Sequence, residues 1–170
     1  MLKDFLIQCI GFAAMGMGIV SYQFNKRKTL LIIQAFMGLT WAVHFLLLKE
    51  MTGAAMNLIG MVRAFVYSNR DKKWACSKVI PFVFSASFIT ASVLTYDGWK
   101  SLLPMVAMVM ASFVFWSENT GTLRRLNIPC SMLWLVYDAM SSSWAGVANE
   151  VFVLVSIAVA MVRFDRRTEK

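Results

Sequence analysis

Residues 41–57 read WAVHFLLLKEMTGAAMN, and residues 134–150 read WLVYDAMSSSWAGVANE. Each stretch is an apolar segment, a short polar turn and a second apolar segment, which is typical of a helical hairpin. Trp41 and Asn57 are sixteen residues apart, and Trp134 and Asn149 are fifteen apart. The second stretch begins 93 positions after the first. The sequence therefore predicts two similar hairpins, each with a Trp and an Asn inside apolar runs.

The composition excludes an ordinary soluble domain. Apolar residues make up 59% of the 170 residues, charged residues make up 15%, and the mean hydropathy is +0.63. A soluble domain is about 45–50% apolar and about 25% charged. So short a chain cannot bury this much apolar surface in a soluble core, and its charges lie between the apolar runs. We predict an all-α, polytopic membrane protein in a lipid bilayer.

A net charge of +8 would ordinarily suggest a nucleic-acid partner. Here the basic residues lie in the loops between apolar runs, where they orient a membrane protein. We therefore expect no nucleic-acid partner. The first apolar run is expected to be retained as a helix, because Asp4 cancels Lys3 and no small-residue cleavage site ends the run.

The apolar runs have the lengths of membrane-spanning helices. A helix crosses the bilayer core with about 20 apolar residues. Strands are excluded, because the runs are too long and an exposed sheet edge is not stable in lipid. The sequence predicts seven spans, over residues 5–22, 29–48, 52–67, 79–96, 101–116, 123–141 and 144–163.

The basic residues predict the orientation of these spans. When alternate loops are grouped, one side of the membrane holds 14 of the 17 Lys and Arg residues. The other side holds Lys3, Lys49 and Lys100. Loops rich in Lys and Arg remain in the cytoplasm. The N-terminus is therefore expected outside and the C-terminus in the cytoplasm.

A shift of 93 residues places Trp41 on Trp134 and Gly53 on Gly146. Three helices reverse the direction of the chain, so two parallel three-helix units need one extra helix between them. The predicted arrangement is 3+1+3, with parallel repeats about an axis along the membrane normal. We predict a single membrane domain, 1–170. It consists of a first three-helix bundle (1–68), a linker helix (79–96) and a second three-helix bundle (98–164).

The two Trp–Asn pairs are predicted to lie at one depth. A helix rises by about 1.5 Å per residue, so Trp41 and Asn57 both lie roughly 8–10 Å inside the outer boundary of the bilayer. Trp134 and Asn149 lie at the equivalent depth in the second hairpin. Indole faces stack on apolar ring faces, and amides donate and accept hydrogen bonds. We predict that these four residues bind a small, polar solute. The alternative is that the Asn residues join helices and the Trp residues mark the membrane interface.

Ionisable residues inside the spans are the second group of candidates. His44, Asp138 and Glu150 could couple transport to protons or select a cation, because ionisable groups within a membrane are commonly functional. The alternative is that they lie close enough to the outer surface to be hydrated. Arg63 is expected to extend toward the headgroups, or else to close an inner gate.

The Trp–Asn pattern resembles the SWEET/SemiSWEET sugar facilitators, in which a Trp and an Asn of each repeat line the central sugar site. That resemblance implies hinge prolines, for which Pro104 and Pro129 are the candidates. Their counterparts in the first repeat are Gly11 and Phe36, so the hinge pattern is present in one repeat only. The whole chain resembles more closely the YgjV-type bacterial inner-membrane proteins, which implies that membrane as its location. The vitamin transporters of the PnuC type are similar in architecture.

The sequence contains no enzyme, metal or cofactor motif. Cys9 and Cys130 lie in apolar runs and are expected in the core. The leading hypothesis is a SWEET-like transporter or facilitator of a small polar solute, of sugar, vitamin or nucleoside type. The alternative is a receptor or scaffold of the same fold that transports nothing and fills its centre with Leu, Phe and Met. The sequence leaves a homo-oligomer open.

Overall fold

The computed structural model describes the backbone of residues 2–21, 24, 27–117 and 120–164. Within these residues the chain forms seven α-helices and one 3-10 helix, and no strand. The α-helices are α1 (Leu2–Ser21), α2 (Arg27–Leu47), α3 (Met51–Ser68), α4 (Ile80–Leu94), α5 (Leu102–Val114), α6 (Thr120–Met140) and α7 (Trp144–Phe164). The 3-10 helix, Trp99–Ser101, precedes α5.

The all-helical class and the helix count agree with the sequence prediction, and each helix end lies within three residues of the predicted one. By length and composition alone, two helices are long and apolar enough to cross a membrane, Leu2–Ser21 and Lys28–Leu47. Shorter apolar helices cover Ile80–Leu94, Trp99–Val114 and Trp144–Val159. These three fall below the length standard, whereas polar residues such as Asn57 and Arg63 lower the hydropathy of α3.

The helices pack as a ring. In the first half of the chain α2 lies between α1 and α3, and in the second half α6 lies between α5 and α7. Contacts of α3 with α5 and of α1 with α7 close the ring, and α4 packs outside against α3 and α5. We call the end that holds the turns 48–50 and 141–143 the Lys49 end, and the end that holds the loop 69–79 the Arg70 end.

The two turns at the Lys49 end share one backbone geometry. Lys49 (φ 65°) and Ser142 (φ 54°) adopt the left-handed conformation that ends many helices. In the first turn the Glu50 amide donates to the Phe45 carbonyl, and in the second the Ser143 amide donates to the Asp138 carbonyl, both at 2.9 Å. These bonds satisfy carbonyls that the helix end leaves without a partner.

A glycine after each turn lets the hairpin close tightly. A methyl group on Gly53 would lie 2.9 Å from the Phe45 ring and 2.8 Å from the Tyr137 hydroxyl oxygen. A methyl group on Gly146 would overlap the Asp138 carboxyl. At both positions, a side chain of the preceding helix occupies the space that a methyl group would need.

An apolar cluster joins α3, α4 and α5, with Tyr67, Phe84, Phe88 and Met108 among its buried members. The Tyr67 hydroxyl donates to the Ser112 carbonyl at 2.8 Å. Helix α4 thus contributes core side chains in addition to connecting the two halves.

The outer surface of the bundle is strongly apolar. Phe12 is 51% exposed, Val93 70%, Leu94 79% and Val159 61%. A soluble monomer rarely exposes large apolar side chains on every side, whereas lipid tails favour them. Cys9 belongs to this surface, so its expected place in the core is wrong: it lies on the exposed side of α1, whereas Cys130 is buried as expected.

Candidate functional site

A cavity of about 190 Å³ lies inside the ring, bordered by α2, α3, α5, α6 and α7. Apolar groups form much of its wall, but it also carries polar side chains from four helices. These are Gln34, Trp41, Asn57, Arg63, Asn127, Ser131, Trp134, Asp138, Asn149 and Glu150. Six of the residues predicted from the sequence meet here: Trp41, Asn57, Trp134, Asn149, Asp138 and Glu150.

Aromatic rings close the cavity toward the Lys49 end. The Phe45 ring lies between the two indoles, with centroids 6.0 Å from Trp41 and 5.9 Å from Trp134 and planes inclined by 32° and 35°. Tyr137 meets Trp134 edge-on, with centroids 5.7 Å apart. Trp134 also packs against three clusters of buried apolar side chains, so its position is fixed by the surrounding core.

The two asparagine amides make their hydrogen bonds within single helices. Asn57 Nδ2 donates to the Gly53 carbonyl at 2.9 Å, and Asn149 Nδ2 donates to Glu150 Oε1 at 3.0 Å. These bonds argue against a role in joining helices. Each amide retains hydrogen-bonding capacity for a molecule in the cavity.

Asp138 is the most deeply buried polar group of the lining, with 2% of its surface exposed. Among the described residues, its Oδ1 atom has no hydrogen-bond partner. Burial of a carboxyl oxygen without a partner costs free energy, and such atoms are uncommon in folded proteins. The Asp138 side chain fills the space that Gly146 leaves, so its position at the cavity is enforced by packing.

His44 lies outside this lining, although the sequence grouped it with the two acids. It is fully buried, with Nδ1 2.9 Å from the Ile7 carbonyl oxygen and Nε2 2.9 Å from Ser143 Oγ. A carbonyl oxygen can only accept, so Nδ1 donates to Ile7, and the neutral ring accepts at Nε2 from the Ser143 hydroxyl. These bonds tie α2 to α1 and to the turn before α7.

Arg63 corrects a second expectation. Its guanidinium is buried inside the bundle instead of reaching the headgroups, and it donates to the Met108 carbonyl at 3.2 Å and to Ser112 Oγ at 3.3 Å. The rings of Phe88 and Phe115 each lie 5.4 Å from its central carbon. Carbonyl, hydroxyl and ring faces replace water around the charge, which is why it can remain inside.

The two candidate hinge prolines occupy different environments. Pro104 is buried in the first turn of α5, where the missing amide costs no helical hydrogen bond. Pro129 lies inside α6, where it removes one bond from the helix and permits bending. Of these two prolines, only Pro129 therefore has the position of a hinge within a helix.

Sequence reasoning missed a polar network at the Lys49 end. The Gly53 amide donates to the Tyr137 hydroxyl at 2.9 Å, and that hydroxyl donates to Glu50 Oε2 at 3.2 Å. Glu50 Oε1 pairs with Lys100 Nζ at 2.8 Å, and Asp97 lies 3.4 Å from the same ammonium. The Glu50 hydrogen bond raises the pKa of Lys100. The 93-residue offset pairs Tyr137 with His44, and this pairing is the signal in the sequence that could have pointed to the network.

A family model described as "Imp-YgjV: Bacterial inner membrane protein" matches residues 5–168. No curated protein matches the chain. No solved structure matches it either.

Proposed function

The chain belongs to the Imp-YgjV family of bacterial inner membrane proteins, and we propose that it transports a small polar solute across that membrane. The observation that carries this proposal is the polar cavity at the centre of the ring, to which both halves of the chain contribute. A solute pathway needs such a cavity between parts that can move relative to one another.

The proposal includes the 3+1+3 repeat, and reciprocal contacts support it. His44 contacts Ser143, and the residues 93 positions away, Tyr137 and Glu50, contact each other. Each contact thus joins the second helix of one half to the turn of the other. A half-turn rotation that exchanges two units produces contacts paired in this way.

A second pair of contacts has the same relationship. The Ala145 amide donates to Gln8 Oε1 at 3.0 Å, and Thr52 Oγ1 donates to Ser101 Oγ at 3.2 Å. Ser101 follows Gln8 by 93 positions, and Ala145 follows Thr52 by the same number. Both pairs lie at the Lys49 end, which favours parallel repeats over inverted ones.

The cavity lining also pairs across the two halves. Seven pairs of lining residues are separated by 93 positions: Gln34 with Asn127, Met37 with Cys130, Gly38 with Ser131, Trp41 with Trp134, Phe45 with Asp138, Asn57 with Glu150, and Gly60 with Val153. The cavity therefore lies where the proposed rotation axis passes. The counterpart of Asn57 is Glu150, whereas Asn149 corresponds to Met56, so the two amides are not symmetry mates.

The distribution of Lys and Arg supports an orientation with the Lys49 end outside, so that the N-terminus is outside and the C-terminus is in the cytoplasm. All seven helices cross the membrane in this proposal. The aromatic rings and the Tyr137–Glu50 bond close the outer side. The described lining extends to Gln34 and Asn127, toward the cytoplasmic side. The conformation is thus closed to the outside.

The cavity favours transport over the alternative hypothesis of a receptor or scaffold. A scaffold would fill its centre with Leu, Phe and Met, whereas the described chain keeps about 190 Å³ beside Asn, Asp and Glu side chains. The partners in this proposal are the bilayer and the solute, without nucleic acid and without catalysis. Uptake driven by the solute gradient and uptake coupled to protons are both compatible with it.

Uptake assays on proteoliposomes test the proposal with one matched control. Asn57→Ala should abolish uptake and leave thermal stability nearly unchanged, because its amide serves the cavity. Asn69→Ala is the control, since Asn69 Nδ2 also donates to a carbonyl four residues earlier at 2.9 Å but lies at the Arg70 end. Normal uptake by Asn57→Ala at normal abundance would reject the site and favour the scaffold.

A further inference from the structure

We infer that the transported solute carries an ammonium-type cation, bound by Asp138 and Glu150 against the indoles of Trp41 and Trp134. This inference deepens the proposed function and rests on it. It names the chemical class of the solute and assigns the two acids to direct contact with it.

The unpartnered Asp138 oxygen is the first observation. The side chain is almost completely buried, it lines the cavity, and Oδ1 makes no hydrogen bond to any residue that the structure describes. A structural carboxyl group is normally surrounded by donors that offset its burial. The missing donor is one that a cationic solute would supply when it occupies the cavity.

Glu150 is the second observation. It lies six residues into α7 and its counterpart Asn57 lies six residues into α3, so both lie at about 9 Å from the Lys49 end. Asn149 donates to Glu150 Oε1, which orients the carboxyl group beside the cavity. A carboxyl group therefore occupies, in the second half, the position that an amide occupies in the first.

The aromatic wall is the third observation. Ring faces attract cations, tryptophan most strongly, and quaternary ammonium ligands are recognised in this way. Trp41 and Trp134 line the cavity at the depth of Glu150, since each of the three lies six residues from its helix end, and Asp138 lies about 6 Å nearer the Lys49 end. An ammonium group placed there would contact ring faces and carboxylates together.

Arg63 does not cancel the acidic charge. Its guanidinium is already bonded to Met108 and Ser112 and lies between two phenyl rings. It is six residues beyond Asn57 on α3, or about 9 Å farther from the Lys49 end. The salt bridges described in the structure lie outside the cavity and do not join Arg63 to either acid. The cavity is therefore acidic at one end and basic at the other.

The test compares ligands of the same shape and different charge. Choline and its uncharged isostere 3,3-dimethylbutan-1-ol are titrated into the full-length protein in lipid nanodiscs by calorimetry. Tetramethylammonium serves as a second cation. The inference predicts that choline binds at least about tenfold more tightly than the isostere, the ratio expected from ring and carboxylate contacts together.

Three variants complete the test. Asp138→Asn and Glu150→Gln should each lower the preference for choline by about tenfold. Asp97→Asn, which removes a carboxylate outside the cavity, should leave it unchanged. Equal binding of the isostere, a preference that survives in both cavity variants, or no binding of either cation to folded protein would overturn the inference.

Uptake separates this inference from the function on which it rests. Charge-dependent binding without uptake in proteoliposomes would contradict transport and leave the cation site standing. Uptake of a neutral solute that Asn57→Ala abolishes, without any preference for choline, would leave transport standing and reject the cation site. Proton-driven uptake of the uncharged isostere that requires Glu150 would also reject it, because the acid would then carry protons.

Discussion

The His44 imidazole Nε2 lies 2.9 Å from the Ser143 hydroxyl, so the end of α2 is tied to the turn that begins α7. The equivalent pair, Tyr137 and Glu50, ties the end of α6 to the turn that begins α3. The second helix of each half is therefore hydrogen-bonded to the turn of the other half. Opening the Lys49 end would require both ties to break, which makes them the first place to test how the two halves are coupled.

Replacing Tyr137 with Phe removes the hydroxyl that accepts from the Gly53 amide and donates to Glu50. The unsatisfied amide should lower the free energy of unfolding by about 1–3 kcal/mol. Hydrogen exchange should accelerate in the first turn of α3. Tyr67→Phe is the control, because it also loses a buried hydroxyl bond but at the other end of α3. Equal acceleration in both variants would contradict the proposed tie.

The glycine pair gives a packing prediction. Gly146→Ala should destabilise the protein by about 1–3 kcal/mol, because the new methyl group overlaps Asp138 and forces the carboxyl group to move. Gly16→Ala should be neutral or stabilising by up to about 1 kcal/mol, since open space surrounds Gly16 and alanine favours a helix. Thermal unfolding in detergent measures both. Matching melting temperatures for the two variants would show that α7 does not pack on α6 as described.

The Arg63 environment predicts an unusual order of stabilities. Arg63→Lys should be less stable than Arg63→Met by about 1–3 kcal/mol, because a compact ammonium cannot reach both rings and both oxygens, and its burial goes uncompensated. Methionine leaves Ser112 satisfied, since that hydroxyl already donates to Met108 at 2.9 Å. Thermal unfolding of the two purified variants decides between them. A more stable lysine variant would indicate that Arg63 reaches water.

The Lys100–Glu50 ion pair predicts a pH dependence. The pKa of Lys100 is raised above its ordinary value of 10.5, so the pair contributes its full stability below that pH and loses it as the pH rises through the higher pKa. The contribution is below about 1 kcal/mol, as for other partly exposed pairs. The melting temperature of wild type minus that of Lys100→Met should therefore be constant from pH 7 to about 9 and decline above about 10.5. A difference that grows with pH would refute the pairing.

The helices could be predicted from the sequence because the apolar runs are too long for strands and end at basic or polar turns. The common depth of Trp41, Asn57, Trp134 and Asn149 could be predicted because a helix rises by a fixed distance per residue. Equal depth was the only reason to expect these four residues near one another. The structure adds that all four border one cavity.

What depended on neighbouring helices could not be predicted. Arg63 remains inside because Phe88 of α4 and Phe115 after α5 flank it. The apolar runs alone do not indicate which helices will be neighbours of α3. His44 lies outside the cavity because Ile7 of α1 and Ser143 offer partners on its other side. Cys9 resembles a core residue in sequence, yet its side chain is exposed on the surface of α1.

The central claim is that the polar cavity opens to both sides of the membrane in turn, and native Cys130 reports on it directly. Cys130 is buried and lines the cavity, so Cys9→Ser and Cys76→Ser leave one thiol at the site. The measurement is the rate at which a membrane-impermeant, trimethylammonium methanethiosulfonate reagent modifies Cys130, applied to right-side-out and to inside-out vesicles. Transport predicts modification from both sides, faster from the side proposed to be cytoplasmic because the Lys49 end is closed. Modification from neither side, or from one side only at every temperature and solute concentration, would contradict it.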